Sequence, residues 1–165
     1  MRNLLLCPFI ILFVANVGAS DLPMADKVLV YKSERVMYLL NNGEYFREYS
    51  ISLGQNPVGD KMSEGDDRTP EGYYVLDWRN ENSKYHKSIH ISYPNRWDVV
   101  EAKNMGVPPG GNIMIHGYPD DATSQKLVLS SLKQDWTNGC IAVSNRDMDE
   151  IWDIVKNGTV IEIRP

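Results

Sequence analysis

The sequence predicts a mainly β domain with inserted helices. The opening of the chain alternates runs rich in Val, Leu and Tyr with short polar turns, one segment near the end repeats its apolar residues at helical spacing, and no internal repeat or interior linker divides the 165 residues. A chain of that length holds one domain with a sizeable core, because domains run to roughly 100–150 residues. Hydrophobic content of 42% and aromatic content of 10% are those of an ordinary globular protein.

The first twenty residues differ from the rest. Arg2 precedes an apolar run from Leu4 to Val14, and Val17-Gly18-Ala19 sets small residues where a signal peptidase cuts. Residues 1–20 are therefore expected to be a secretory signal peptide and residues 21–165 the exported domain, with no stable membrane insertion after cleavage. An uncleaved anchor is the rival reading. Cys7 sits near the start of the apolar run, the wrong place for lipid attachment, and leaves with the signal.

After the signal, Lys27–Tyr31 and Arg35–Leu40 read as strands around the polar Lys32-Ser33-Glu34. Asn41-Asn42-Gly43 marks a turn, and Glu44–Leu53 alternates with Tyr45, Tyr49, Ile51 and Leu53 on one side, which makes a three-stranded meander. Gly54 to Gly72 is dominated by Gly, Pro, Asp and Glu and is expected to be a long surface loop. Loops beyond roughly 12–15 residues are often functional, so it is either a wall of a substrate groove or a solvated segment. Tyr73–Trp78 and Ser88–Tyr93 are further strands, Trp97–Lys103 a short helix, Asn112–Ile115 a short apolar run, and Gln125–Leu132 a helix for want of turn residues. Ser144 opens the clearest helix, with Asp147 completing a capping box and Met148, Ile151, Trp152 and Val155 at helical spacing. Gly158 is expected to stop it, and Thr159–Ile163 closes the chain as a strand. Met148 and Trp152 are read as core.

The formal net charge is −5, and removing the signal takes away only a positive charge, Arg2. Nucleic acid is excluded as a partner, because phosphate binding needs clustered Lys and Arg. The exported part keeps a single cysteine, Cys140, which has no partner in its own chain for a disulfide. It follows Gly139, between the polar Asp135-Trp136-Thr137-Asn138 and the apolar Ile141-Ala142-Val143. A glycine there permits close backbone approach, and the Gly139 and Cys140 N–H groups are candidate oxyanion donors.

A free thiol is mostly protonated at neutral pH and needs a nearby imidazole. His116 follows the run Ile113-Met114-Ile115 and precedes Gly117, at a strand-to-loop edge; Cys140 comes 24 residues later, room for one helix and a return. His90, between Ile89 and Ile91, is expected to face the same groove, while His86 is given no role. By residue type alone, catalysis by His116 and Cys140 stands level with a packed thiol and a hydrogen-bonded histidine.

Ile115-His116-Gly117 followed by Thr137-Asn138-Gly139-Cys140 resembles the signature of the L,D-transpeptidase, or YkuD-type, catalytic domain, and Arg68-Thr69-Pro70-Glu71-Gly72-Tyr73 is similar to its Thr-Pro-x-Gly-aromatic segment. Ser52-Leu53-Gly54-Gln55-Asn56-Pro57-Val58-Gly59 and His90-Ile91-Ser92-Tyr93-Pro94-Asn95 look like a small periplasmic proteobacterial subgroup that includes an enzyme detaching lipoprotein from murein. Two positions depart: Asn138 stands where the family usually has a second histidine, and Ala142 where an arginine commonly follows. The resemblance implies a β-sandwich-like catalytic domain over residues 21–165 in the periplasm, acting on peptidoglycan stem peptides at diaminopimelate, with murein-bound lipoprotein as a further candidate partner and no metal or organic cofactor. It implies Cys140 as nucleophile, His116 as base, Thr137 orienting His116 through its carbonyl, and Gly139 and Cys140 as oxyanion donors. Asn138 supports the site, and His90, Tyr93 and Gly117 are assigned to the substrate-binding surface. Transfer to an amine, hydrolysis, and a non-catalytic murein-binding module remain as alternatives.

Overall fold

The computed structural model of the chain describes residues 22–130 and 135–165. The expected signal peptide with Cys7, and the end of the Gln125–Leu132 helix, lie outside the described residues. Eight strands form one sheet: β1 (Ala25–Tyr31), β2 (Val36–Asn41), β3 (Glu44–Ser50), β4 (Gly72–Ser83), β5 (His86–Ile91), β6 (Met114–His116), β7 (Ile141–Ala142) and β8 (Val155–Arg164). Their order is β3-β2-β1-β8-β4-β5-β6-β7, and the helices α1 (Arg96–Met105), α2 (Ala122–Ser130) and α3 (Asn145–Ile154) are inserted between them. None of the described helices is long and apolar enough to cross a membrane.

The opening meander forms as its pattern predicts, β1 to β2 to β3 antiparallel. Its second turn is Asn42-Gly43, both at positive φ (51° and 82°), the backbone twist that a two-residue hairpin requires. The last strand, β8, then enters the middle of the sheet, parallel to β1 and antiparallel to β4. The inward residues Val28, Val30, Met37, Leu39, Tyr74, Leu76, Ile89, Ile91, Ile161 and Ile163 make a core against which α3 packs Met148, Ile151 and Ile154.

The sheet does not end in two free edges. Beyond β3, Ser52 exchanges both backbone hydrogen bonds with Ala142 of β7, each 2.8 Å, and the Gln55 N–H reaches the Thr137 carbonyl at 3.0 Å. The first and last strands of the order are thereby joined through the chain leaving β3, and one curled sheet supplies the enclosure expected of a sandwich.

Several boundaries differ from the sequence expectation. β4 runs to Ser83 and β5 starts at His86, because the polar Asn80–Ser83 stretch is paired in a hairpin, where backbone bonding needs no apolar pattern. β6 starts at Met114 and contains His116. α3 ends at Ile154, and Val155 opens β8 directly, so Gly158 stops no helix. It lies at φ 93° within an irregularity where β8 takes extra residues between its Val155 and Val160 pairings with β1. Ser144 caps α3 by accepting the Asp147 N–H at 3.1 Å, but the Asp147 carboxylate turns to the Ser144 hydroxyl (2.7 Å). The complete reciprocal box is at α1, between Asn95 and Asp98. Trp152 is half-buried, with the Arg79 guanidinium 4.8 Å from its ring centre.

The loop from Gly54 to β4 is folded on its own polar network. Lys32, 2% exposed, donates to the carbonyls of Gly59 (2.6 Å) and Thr69 (2.8 Å) and to the Glu71 carboxylate (2.8 Å). Asp66 accepts from the backbone of Met62, Ser63 and Arg68 and from the buried Lys61 ammonium at 2.8 Å. The loop is therefore an ordered segment rather than a solvated one, which would leave these groups to water.

Candidate active site

His116 closes β6 and is held from both sides, paired with Ser88 of β5 and Ala142 of β7, while its carbonyl accepts the Val143 N–H at 2.9 Å. Cys140 lies just before β7, so the parallel β6–β7 pairing brings the two together. Both line a cavity of about 270 Å³ with Ser83, Tyr85, Asn112 and Trp136.

The imidazole is 4% exposed. Its Nδ1 is 2.7 Å from the Gly117 carbonyl. A carbonyl only accepts, so Nδ1 carries the proton and Nε2 keeps its lone pair. Burial holds the imidazole below its ordinary pKa, the Gly117 hydrogen bond opposing the shift. Cys140 is half-buried, with Sγ 3.7 Å from the Asn112 carbonyl. Burial pushes its thiol up, against a backbone hydrogen bond from Met114 and the positive charge of Lys61. Both shifts favour the neutral forms, a thiol and an imidazole that line one cavity.

The carbonyl that orients His116 belongs to Gly117 and not to Thr137, whose own carbonyl accepts from Gln55. Thr137 instead builds the cysteine turn: its hydroxyl donates to the Cys140 carbonyl (2.7 Å) and accepts the Gly139 N–H (3.1 Å). That bond also removes Gly139 as an oxyanion donor, because its N–H is already committed. Gly139 is needed for space: φ is 120°, and a Cβ would stand 2.6 Å from the Arg68 carbonyl. The close approach is to the long loop rather than to a substrate.

Asn138 is exposed, 3.4 Å from Gln55, and lines both the Cys140 cavity and a second one of about 660 Å³ bordered by Lys61, Glu64 and Asp67. His90 is not brought to the site; it bonds Asp77 at 2.7 Å and stacks on Trp78. Tyr93 is buried, its hydroxyl donating to the Pro109 carbonyl at 2.9 Å, and it does not line the Cys140 cavity. Ala142 is buried in the seam with Ser52 and borders a cavity of about 280 Å³ under α2. His86 pairs with Asp149 at 2.7 Å. The sequence reading gave no role to Tyr85, Asn112 or Lys61, whose nearness to Cys140 comes from segments distant along the chain. Trp136 carried a signal, four residues before the cysteine. Among the described residues, no group of three or more His, Cys, Asp or Glu side chains is arranged to hold a metal.

Residues 25–163 match the family model of the YkuD L,D-transpeptidase catalytic domain. The Escherichia coli (strain K12) protein YafK, named as a putative L,D-transpeptidase, is 30% identical over 140 residues, 81% of this chain and 48% of that protein. Among solved structures, the helical cell shape determining protein Pgp2 from Campylobacter jejuni has a TM-score of 0.64 at 28% identity, covering 87% of this chain and 49% of that one. Bdellovibrio bacteriovorus Bd1075 has a TM-score of 0.57 at 26% identity, covering 85% and 48%. This chain thus spans about half the length of these relatives. With a model match over most of its length and His116 and Cys140 lining one cavity, the chain belongs to the L,D-transpeptidase catalytic domain family.

Proposed function

We propose that this protein is a periplasmic cysteine acyl-transfer enzyme acting on peptidoglycan stem peptides at diaminopimelate. The observation that carries the reading is the shared cavity of Cys140 and His116, with the histidine fixed so that its unprotonated nitrogen is Nε2. Cys140 Sγ attacks the carbonyl of the third stem residue while its proton passes to His116 Nε2. The oxyanion is assigned to the Cys140 N–H, since that of Gly139 is held by Thr137. Collapse breaks the amide bond, His116 returns the proton to the leaving amine, and a thioester remains on Cys140. An incoming amine then attacks the thioester and gives a proton to His116, the C–S bond breaks as the new amide forms, and His116 returns the proton to the Cys140 thiolate. The second cavity, which adjoins the first at Asn112 and Asn138, gives that acceptor room.

Water resolves the same thioester, and the partial exposure of Cys140 supports hydrolysis as the second reading, with release of murein-bound lipoprotein among its outcomes. The test is to incubate the protein, beside Cys140→Ala, with lipoprotein-bearing murein and with tetrapeptide muropeptides, and to read the products by mass spectrometry. Cysteine-dependent cross-links or amine-exchanged stems are expected for transfer. Cysteine-dependent tripeptides or released lipoprotein would assign a hydrolase, and binding without any cysteine-dependent product would leave a murein-binding module.

A further inference from the structure

We propose that Tyr85 and Trp136 are positioning residues for the base, two rings from separate elements that close around His116, keep water from it and hold it toward Cys140. This rests on the reading of His116 as the base.

Three parts of the chain converge at this point. β6 delivers His116, the β4–β5 hairpin tip delivers Tyr85, and the turn before β7 delivers Trp136. The Tyr85 ring lies tilted against the imidazole with centroids 4.6 Å apart; the Trp136 ring meets it edge-on at 5.6 Å, and the two rings are 6.1 Å apart. Both line the Cys140 cavity. Tyr85 is 41% exposed, so its ring stands at the cavity mouth, between solvent and a histidine that is almost fully covered.

Gly117 ties the arrangement together. Its carbonyl holds His116 Nδ1, and its N–H donates to the Tyr85 carbonyl at 3.0 Å, so base and ring are fixed to one peptide unit. A Cβ on Gly117 would stand 2.5 Å from the Asn145 Oδ1 and 3.2 Å from the Tyr85 carbonyl, which shows how closely the tip is seated. The tip is further locked by the Asp120 N–H on the Lys84 carbonyl, the His86 N–H on the Asp120 carboxylate (both 3.0 Å), and the His86–Asp149 pair. Among the described residues, the buried Trp136 indole N–H has no hydrogen-bond partner.

Among the described residues of the surrounding elements, His86 and Lys87 are engaged with Asp149, Asp120 with the His86 amide, Asp135 with Arg35, and Lys61 with Asp66. Of the described titratable groups, the Tyr85 phenol is on the ring packed against His116, and the Cys140 thiol lines the same cavity. Enclosure by uncharged rings, with no carboxylate of the described residues against the imidazole, disfavours its protonated form and keeps Nε2 available. Opening either wall admits water and raises the imidazole toward its ordinary value of about 6.5.

Nuclear magnetic resonance of isotope-labelled histidine tests this without any substrate. The chain has three histidines, and His116→Ala identifies the signal. Tyr85→Ala and Trp136→Ala are each expected to raise the His116 titration midpoint by about half a unit or more, and to move the acid limb of the kcat/KM profile upward with it. Tyr85→Phe and Trp136→Phe retain the rings and are expected to hold both at their wild-type positions. Should the alanine variants fail to fold, Tyr85→Leu and Trp136→Leu replace them. An unmoved midpoint in both truncations overturns the proposal, and so does a moved midpoint with an unmoved limb, because the rings would then only pack. Failure of the base reading looks different: His116→Ala would keep full cysteine-dependent product formation.

Discussion

Gly139 shows why a residue type can be read correctly and its purpose missed. A glycine before the cysteine suggested a donor for an oxyanion, yet its N–H serves Thr137 and its missing side chain makes room for the Arg68 carbonyl. Two separate penalties follow for Gly139→Ala: a φ of 120° that L residues avoid, and a backbone atom 2.6 Å from the new Cβ. We expect a loss of about 3 kcal/mol in chemical denaturation. A fall in kcat of at least roughly a hundredfold should accompany it, since small displacements of a nucleophile are costly. A variant as stable and as active as wild type would show that the loop and the cysteine turn move apart freely.

At the scale of elements, the long loop between β3 and β4 separates residues that composition lumps together. Glu64 and Asp67 line the second cavity, whereas Asp66 is the centre of the loop's own fold, holding three amides and Lys61. Neutralising this acidic loop therefore has two outcomes: Glu64→Gln should be nearly neutral in stability, while Asp66→Asn should cost about 3 kcal/mol by stranding the buried Lys61 ammonium. Burial works to raise the Asp66 carboxyl, but Lys61 and the amides of Ser63, Met62 and Arg68 outweigh it and hold it below its ordinary value. A carboxyl depressed in the folded state stabilises the protein above the unfolded value of about 3.9 and loses that contribution as pH falls through the folded one. Denaturation series between about pH 5 and pH 2 should accordingly show a steeper acid loss in wild type than in Asp66→Asn. Parallel curves would remove Asp66 from the acid response.

Across the whole molecule, the site depends on where the sheet closes. Cys140 sits one residue before a two-residue strand, which gains its second neighbour only through the exchange of hydrogen bonds between Ser52 and Ala142. Ser52→Pro removes the N–H that Ala142 accepts and is expected to cost about 3 kcal/mol. Activity should fall further than the unfolded fraction explains, because β7 positions Cys140, the proposed nucleophile. Hydrogen exchange at the Ala142 amide, measured beside activity, checks this; unchanged protection with full activity would show that the seam does not hold the site.

The meander, the closing strand, the capped third helix and the resemblance around His116 and Cys140 were legible because each is written in neighbouring residues: period-two apolar runs, a Ser–Asp cap, an Asn–Gly turn and short motifs. Local patterns of that kind respond to burial and backbone propensity and survive without knowledge of the fold. The polar extension of the β4–β5 hairpin was hidden, since a ladder of backbone bonds imposes no apolar pattern on exposed residues. The direct passage from α3 to β8 was hidden for a related reason: Val155 satisfies helical spacing and strand propensity alike, and pairing with Ala25 decides between them. The sequence by itself determined the chemistry on offer, a thiol after a glycine and a histidine at the end of a short apolar run in a mainly β chain. Only the tertiary structure decided how that chemistry is set, by placing the Gly117 carbonyl on Nδ1, Tyr85 and Trp136 around the ring, Arg68 against Gly139, and His90 and Tyr93 elsewhere. These are contacts between distant segments, and curling of the sheet is what turns distance along the chain into proximity.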